Sequence, residues 1–400
     1  MKEILIKEYN NLKKLSIKPK EGSYTFNIHF IEGAFVEILG DKPAKFKVEF
    51  INQNNNQIIH KAEISNNMWT KTSIKYYLNF SIKITNLNNG EIFEYKYNAK
   101  NKRVYIHLDS KAIGDTLAWF PYVEEFRKKH NCQVICSTFH NDWFQSEYPE
   151  IEFVKPGTPV DNLYAMYKVG WHYNGDNTIN TNFNPNDFRK YGLQECSADI
   201  LGIDYKEIKP KLSFRKTLQI NPIEGKYVVI APHASAHAKY WNHPGGWQAV
   251  IDYLNKEGYK VVMITQEPLG DIWHDSKLGG TLTGVIDKTG DYPLEDRATD
   301  IMGAEFFIGV GSGLSWLSWA LGTKTILISG FSAPFSEFTE CERVFTPSSN
   351  ACNSCYNKTR LDAGDWEWCP EHKGTDRQFE CTKTILPDQV FKAIERVRNF

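Results

Sequence analysis

Alternation of apolar and polar residues dominates the first hundred positions. It runs through Tyr24-Thr25-Phe26-Asn27-Ile28-His29-Phe30, through Lys45-Phe46-Lys47-Val48-Glu49-Phe50, and from Tyr76 to Ile84. Polar breaks, Asn52 to Gln57 and Asn86 to Gly90, separate these runs. Period two places alternate side chains on opposite faces of a strand, so residues 1–100 are expected to form a small antiparallel β-sandwich or barrel. No catalytic constellation occurs in it, and it reads as an assembly or partner-docking module.

From Arg103 the period changes. Val104–Leu108 reads as a buried strand, Thr116–Lys129 as a helix ending in basic residues, and Gln133–Cys136 as a second strand. The Tyr/Trp/Asn-rich stretch 138–190 has no clear period. Leu193–Leu201 reads as a helix stopped by Gly202, and 205–225, with Pro210 and Pro222, as a linker. A second strand–helix series follows. Strands are expected at 227–232, 260–265, 306–310 and 325–329, and helices at 246–257, 294–304 and 316–321. The cysteine-rich part breaks this pattern, and 387–398 closes the chain as a helix. The expected fold is α/β: two Rossmann-like domains, 101–215 and 216–340, with a cleft between them. An all-β domain precedes them, a four-cysteine metal-binding insertion at 341–385 follows, and 386–400 is a terminal helix.

The composition narrows the function classes. A net charge of −1 gives no general attraction to nucleic acid or anionic lipid. No apolar run approaches the roughly 20 residues of a membrane span. The start, Met1 to Lys7, has mixed charge and too short an apolar part for a signal peptide. A cytoplasmic protein is expected, in which eight cysteines read as thiols or metal ligands rather than disulfides.

Four constellations carry chemistry. Gly114-Asp115-Thr116 opens a helix directly after a buried strand, where ligands bind in open α/β sheets; Asp115 is the candidate reactive group, although a carboxylate there is also an ordinary helix cap. Gly311-Ser312-Gly313-Leu314-Ser315 lies between strand and helix, where small residues and free amides suit a diphosphate. The loop after Pro232 carries His233, Ser235, His237 and Lys239. Lys239 is placed to set an ammonium over the same phosphates. His233 and Ser235 are expected near the cleft, and His237 as a solvated loop residue. Gln266 and Glu267 follow the next strand and are placed to accept from a ribose hydroxyl. Cys352, Cys355, Cys369 and Cys381 form a Cys-x2-Cys-x13-Cys-x11-Cys pattern that points to a closed, structural tetrathiolate site for zinc or iron. Cys132, Cys136, Cys196 and Cys341 read as ordinary thiols.

Ser110 to Ala118, Lys239-Tyr240-Trp241 and Ser312 to Ser315 together resemble the three signatures of ADP-heptose-dependent heptosyltransferases. With the β domain and late cysteines, the chain resembles the bacterial autotransporter heptosyltransferases. The resemblance implies a GT-B fold and an inverting protein O-heptosyltransferase without a catalytic metal. It implies ADP-heptose as donor and serines of an autotransporter adhesin as acceptor. Asp115 would be the general base. Lys239, Ser312, Gly313, Leu314 and Ser315 would hold the donor diphosphate, and Thr116, His233 and Glu267 are expected beside the donor. The resemblance further implies structural iron on the four cysteines and a dodecamer. The chain departs from the wider heptosyltransferases in one place: their Asp-Thr-Gly-Leu-Ser-His is here Gly311-Ser312-Gly313-Leu314-Ser315-Trp316. Two other readings stand beside this one. One is a heptosyltransferase acting on lipopolysaccharide or another glycan; the other is a non-catalytic assembly scaffold. The stretch 138–190 reads equally as an acceptor groove or as packing, and Asp109 is a second carboxylate near Asp115.

Overall fold

The computed structural model describes residues 16–17, 24–213 and 223–399. The N-terminal segment Met1–Lys7 and the middle of the 205–225 linker lie outside the described residues. The chain groups into two compact units. One gathers the described residues up to Lys111 with Trp119–Phe188 and Glu195–Lys206; the other gathers Ala112–Ala118, Arg189–Gln194 and the described residues from Glu207 onward.

In the first unit, period two produces strands as expected. They are β1 (Ser16–Ile17), β2 (Tyr24–His29), β3 (Phe35–Gly40), β4 (Lys45–Asn52), β5 (Gln57–Ser65), β6 (Met68–Lys71), β7 (Phe80–Asn86) and β8 (Ile92–Lys96). They pair antiparallel in two sheets, ordered β1-β2-β3-β6 and β5-β4-β7-β8. On β7, Phe80, Ile82 and Ile84 are buried while Ser81, Lys83 and Thr85 are not. The sheets share an apolar layer in which Phe26 of β2 meets Phe46 of β4 and Phe93 of β8.

The same unit holds a parallel sheet. Its parts are β9 (Arg103–Leu108), α1 (Ile113–His130, whose start belongs to the second unit), β10 (Gln133–Ser137), β11 (Ile151–Val154) and β12 (Leu163–Val169), followed by α2 (Leu193–Leu201). The strand order is β11-β10-β9-β12. The β region is stitched to this sheet through backbone: Phe30 N–H donates to Tyr164 O at 2.7 Å, and Met166 N–H donates to Phe30 O at 3.2 Å. Within the aromatic stretch 138–190 several rings are packed. Phe144 stacks on Phe120 at 3.8 Å, Trp143 on His140 at 3.8 Å, and Phe188 lies against Trp171 at 4.5 Å.

The second unit is built on one parallel sheet. Its elements are β13 (Tyr227–Ala231), α3 (Gly246–Lys256), β14 (Lys260–Met263), α4 (Ile272–Leu278), β15 (Ile286–Asp287), α5 (Leu294–Met302), β16 (Phe307–Val310), α6 (Gly313–Leu321), β17 (Thr325–Ile328), β18 (Glu342–Val344), α7 (Glu380–Lys383) and α8 (Pro387–Arg398). The strand order β15-β14-β13-β16-β17-β18 reverses direction between β13 and β16, which is where such sheets bind ligands. Helix α4 and the short strand β15 were not expected, and two further points differ from the sequence pattern. Helix α6 begins at Gly313, so the Gly-Leu-Ser residues form its first turn. The cysteine-rich region opens with a sixth strand, β18, in parallel register with Ile326–Ile328. Buried residues of α8 (Val390, Ala393, Ile394, Val397) join the same core as Ile326, Ile328 and Val344. Among the described residues no helix is long and apolar enough to cross a membrane.

Candidate active site

Two helix starts meet in the second unit. An alanine-sized Cβ on Gly114 would lie 2.9 Å from Trp316 Cδ1, and one on Gly313 would lie 2.7 Å from Ile113 Cβ. Only glycine lets the first turns of α1 and α6 approach so closely. Helix geometry leaves the first amides of each turn without intrahelical acceptors and gives each start a partial positive charge. Asp115 lies in the first turn of α1 and is half-buried. Thr116, expected beside the donor, is fully buried and its hydroxyl donates to Ala112 O at 3.0 Å.

Lys239 comes from the other side of the switch point. Strand β13 is buried throughout, and the chain turns after Pro232 into a short 3-10 turn, His237–Lys239. Lys239 Nζ donates to Ser235 Oγ at 3.2 Å and lies 5.6 Å from the Phe331 ring centroid. Burial lowers the pKa of this ammonium, while the carboxylates of Asp115 and Glu337 pull it the other way. Asp115, Lys239, Glu337 and the start of α6 all belong to the second unit, where the charges of Asp115 and Glu337 act on Lys239.

Glu337 was not visible in the sequence, because 329–341 has neither period nor motif. Its carboxylate accepts from Ser332 Oγ and pairs with Arg343 Nη1 at 3.0 Å. The α6 turn itself divides in role. Ser312 is the N-cap, and its Oγ is buried without a hydrogen-bond partner among the described residues. Gly313 and Leu314 are partly exposed. Ser315 is buried and its hydroxyl donates to Val310 O at 2.6 Å, so its side chain closes the strand–helix turn.

His233 is buried, stacked on Tyr240 at 5.4 Å, with Nδ1 3.5 Å from Glu267. Contact with His233 holds the half-buried Glu267 carboxyl below its usual range, against the opposing effect of burial. Gln266 is exposed. In the first unit, Asp109 is paired with Lys168 at 2.7 Å and His107 at 3.3 Å. Burial would raise its pKa, but these two partners together hold it down at about 2.

His237 corrects the expectation of a solvated loop residue. It is buried, and its Nδ1 lies 2.9 Å from Glu367 of the cysteine-rich region. Its pKa is lowered, chiefly by burial, with Glu367 opposing. Beneath this turn Ala238, Phe331, Cys355, Trp368, Cys369 and Phe379 form one apolar cluster. All four pattern cysteines are free thiols. Burial pushes Cys352 up to about 12, and Cys355 and Cys369 add to it. The Cys381 thiol is likewise raised, by burial first and then by Cys355, Cys352 and Cys369. Thiolates are the donors of thiophilic metals; of the four cysteines Cys352 is half-buried and Cys355, Cys369 and Cys381 are buried. Cys352 also belongs to a second group that the spacing did not reveal. It lies with His372 and Glu380, their donor atoms within 4.8 Å of one another.

Comparison with known proteins adds a family to this geometry. Residues 193–359 match the model of glycosyltransferase family 9 (heptosyltransferase). The autotransporter heptosyltransferase BAHTCr of Citrobacter rodentium is 38% identical over 364 residues, which is 88% of this chain and 85% of that protein. The iron-containing dodecameric glycosyltransferase TibC of enterotoxigenic Escherichia coli superposes with a TM-score of 0.83 at 34% identity, covering 96% of this chain and 99% of TibC. TibC has also been solved in complex with ADP-D-β-D-heptose. A protein of Burkholderia thailandensis, 32% identical over 84% of this chain and 78% of its own length, is described as the inactive autotransporter heptosyltransferase BimC.

Proposed function

Because this chain belongs to the autotransporter heptosyltransferases, and is thus a glycosyltransferase, we propose that it transfers heptose from ADP-heptose to serine hydroxyls of an autotransporter adhesin, with inversion. The observation that carries this reading is the gathering of Asp115, Lys239 and the start of α6 in one unit. Lys239 and the first amides of α6 bind the diphosphate. As the serine oxygen attacks the anomeric carbon, Asp115 takes its proton and the bond from that carbon to ADP breaks. Negative charge growing on ADP meets the ammonium and the positive helix end, both fixed in advance. Ser312, Gly313 and Leu314 line the phosphate side, and Ser315 shapes the turn. His233 and Glu267 lie after β13 and β14, where a ribose would be reached.

Cys352, Cys355, Cys369 and Cys381 would hold a structural iron, with zinc as the other metal this donor set suits. Bound there, it would cross-link the region under the 237–239 turn. By analogy with TibC the protein assembles as a dodecamer, and the reaction takes place in the cytoplasm.

The test is incubation of purified protein with ADP-heptose and an adhesin fragment. Mass spectrometry should show heptose-sized additions on serines. Asp115→Ala should reduce transfer by roughly 100- to 10,000-fold while ADP binding persists. Transfer by that variant at the wild-type rate would remove Asp115 from the mechanism. The inactive Burkholderia relative gives weight to one further reading, a scaffold without transfer. That reading predicts no binding of ADP or ADP-heptose in calorimetry.

A further inference from the structure

We propose that Glu337 is the sugar-recognising carboxylate of the donor site, supplying from another segment the acid that the 311–316 turn lacks. The inference rests on the donor reading above and assigns a part of that site no motif covers.

Three observations converge on it. The turn opens with Gly311, where the wider heptosyltransferases carry an aspartate. A Cβ on Gly311 would lie 3.1 Å from Glu337 Oε1, with Ser329 Oγ and Ser332 Oγ each at 3.8 Å. The Glu337 carboxylate thus already occupies the space into which a side chain at 311 would point. Glu337 is also held still: its side chain is 10% exposed, Oε1 accepts from Ser332, and Oε2 pairs with Arg343. Finally, the Glu337 carboxylate, like that of Asp115, favours the charged form of the Lys239 ammonium, against the effect of burial.

Charge decides what this carboxylate binds. A diphosphate is repelled by it and goes to Lys239 and the α6 amides. A sugar presents hydroxyl donors, and an ionised carboxylate accepts them strongly. Each carboxylate oxygen has two lone-pair directions, and the named partners use one on each, so acceptor capacity remains. Arg343 balances the charge and limits repulsion of the donor phosphates. The ligand class is the polyhydroxylated sugar of a nucleotide-sugar donor.

Calorimetry with ADP-D-β-D-heptose and with ADP, on wild type, E337A, G311D and the double variant, tests this. E337A should lose roughly tenfold or more in affinity for ADP-D-β-D-heptose, as for a hydrogen bond to a charged group, with no loss of ADP affinity. G311D alone sets two carboxylates against each other and should also weaken sugar-nucleotide binding. In E337A/G311D the acid returns on the turn, and affinity for ADP-D-β-D-heptose should recover. Equal losses for both ligands, or no loss, overturn the proposal. Should E337A not fold, E337Q keeps the hydrogen bond from Ser332, and its failure to weaken sugar-nucleotide binding overturns the proposal in the same way. Wild type that binds neither ligand would sink the donor reading itself, whereas wild-type binding with no Glu337 effect sinks this inference alone.

Discussion

Gly114 in the first turn of α1 lies directly against the indole of Trp316 in the first turn of α6. Trp316 has no room to retreat, since it packs edge-on against Trp319 at 5.4 Å and Phe338 at 5.0 Å. Gly114→Ala should therefore push the two helix starts apart. We expect about 1–3 kcal/mol of destabilisation, typical of overpacking a tight contact. Transfer activity should fall by more than stability explains, because Asp115 moves with its turn. Thermal melting and the transfer assay on one preparation give both numbers.

Lys239 should govern nucleotide affinity. Lys239→Met is expected to weaken ADP binding roughly tenfold or more. Burial lowers the pKa of this ammonium, so its charge is lost at a lower pH than that of an ordinary lysine. Affinity for ADP should accordingly start to fall, as pH rises, before the usual lysine range is reached. Asp115 pulls that pKa upward, so in Asp115→Ala the fall should begin earlier still. Titrations of ADP across alkaline pH read the order directly.

Loss of the metal proposed for the four cysteines should be felt at the proposed donor site. The cysteine cluster packs against Ala238, and Glu367 holds His237, so the turn carrying Lys239 rests on the cysteine-rich region. Cys369→Ser, or prolonged chelation, should lower bound metal in elemental analysis. Melting temperature and ADP affinity should fall with it.

Mild acid should destabilise the first unit. His130 lies among Tyr77, Tyr97 and Phe126 and is held neutral, its pKa lowered from 6.5 to about 4 by burial and then by Lys129. Burial keeps His29 and His172 in the same range. An unfolded chain takes up protons at these sites from about pH 6.5 downward, while the folded one does not until about pH 4. Stability is therefore lost progressively across that window as pH falls. Melting curves of wild type and His130→Phe should converge toward its lower end, with the variant showing the shallower slope.

Elements whose pattern is dictated by their own burial were legible in the sequence. The alternation of β7 and the unbroken apolar run of β13 are read directly from which faces meet water. The positions of Asp115 and Lys239 were legible because each follows a strand that is an apolar run in the sequence; their roles remain the proposal above. Residues defined by contacts distant in sequence were not. Glu337 lies in a segment without period, and its approach to Gly311 comes only with the fold. His237 looks polar and loop-like, yet Glu367, 130 positions away, allows its burial. Glu342-Arg343-Val344 carries no apolar run; its strand exists because β17 offers an edge in register. The hydroxyl of Ser315 looked free for a ligand, and the carbonyl that claims it is visible only once the turn is folded.

The backbone pairing of Phe30 with Tyr164 and Met166 concerns how the molecule avoids sticking to copies of itself. Strand β12 ends the four-stranded parallel sheet, and such an end invites another chain to add a strand. Phe30 takes up that invitation from within, so the β region acts as a bumper as well as any docking module it provides. A truncation beginning after residue 100 would leave this strand bare and open to pairing with a strand of another chain.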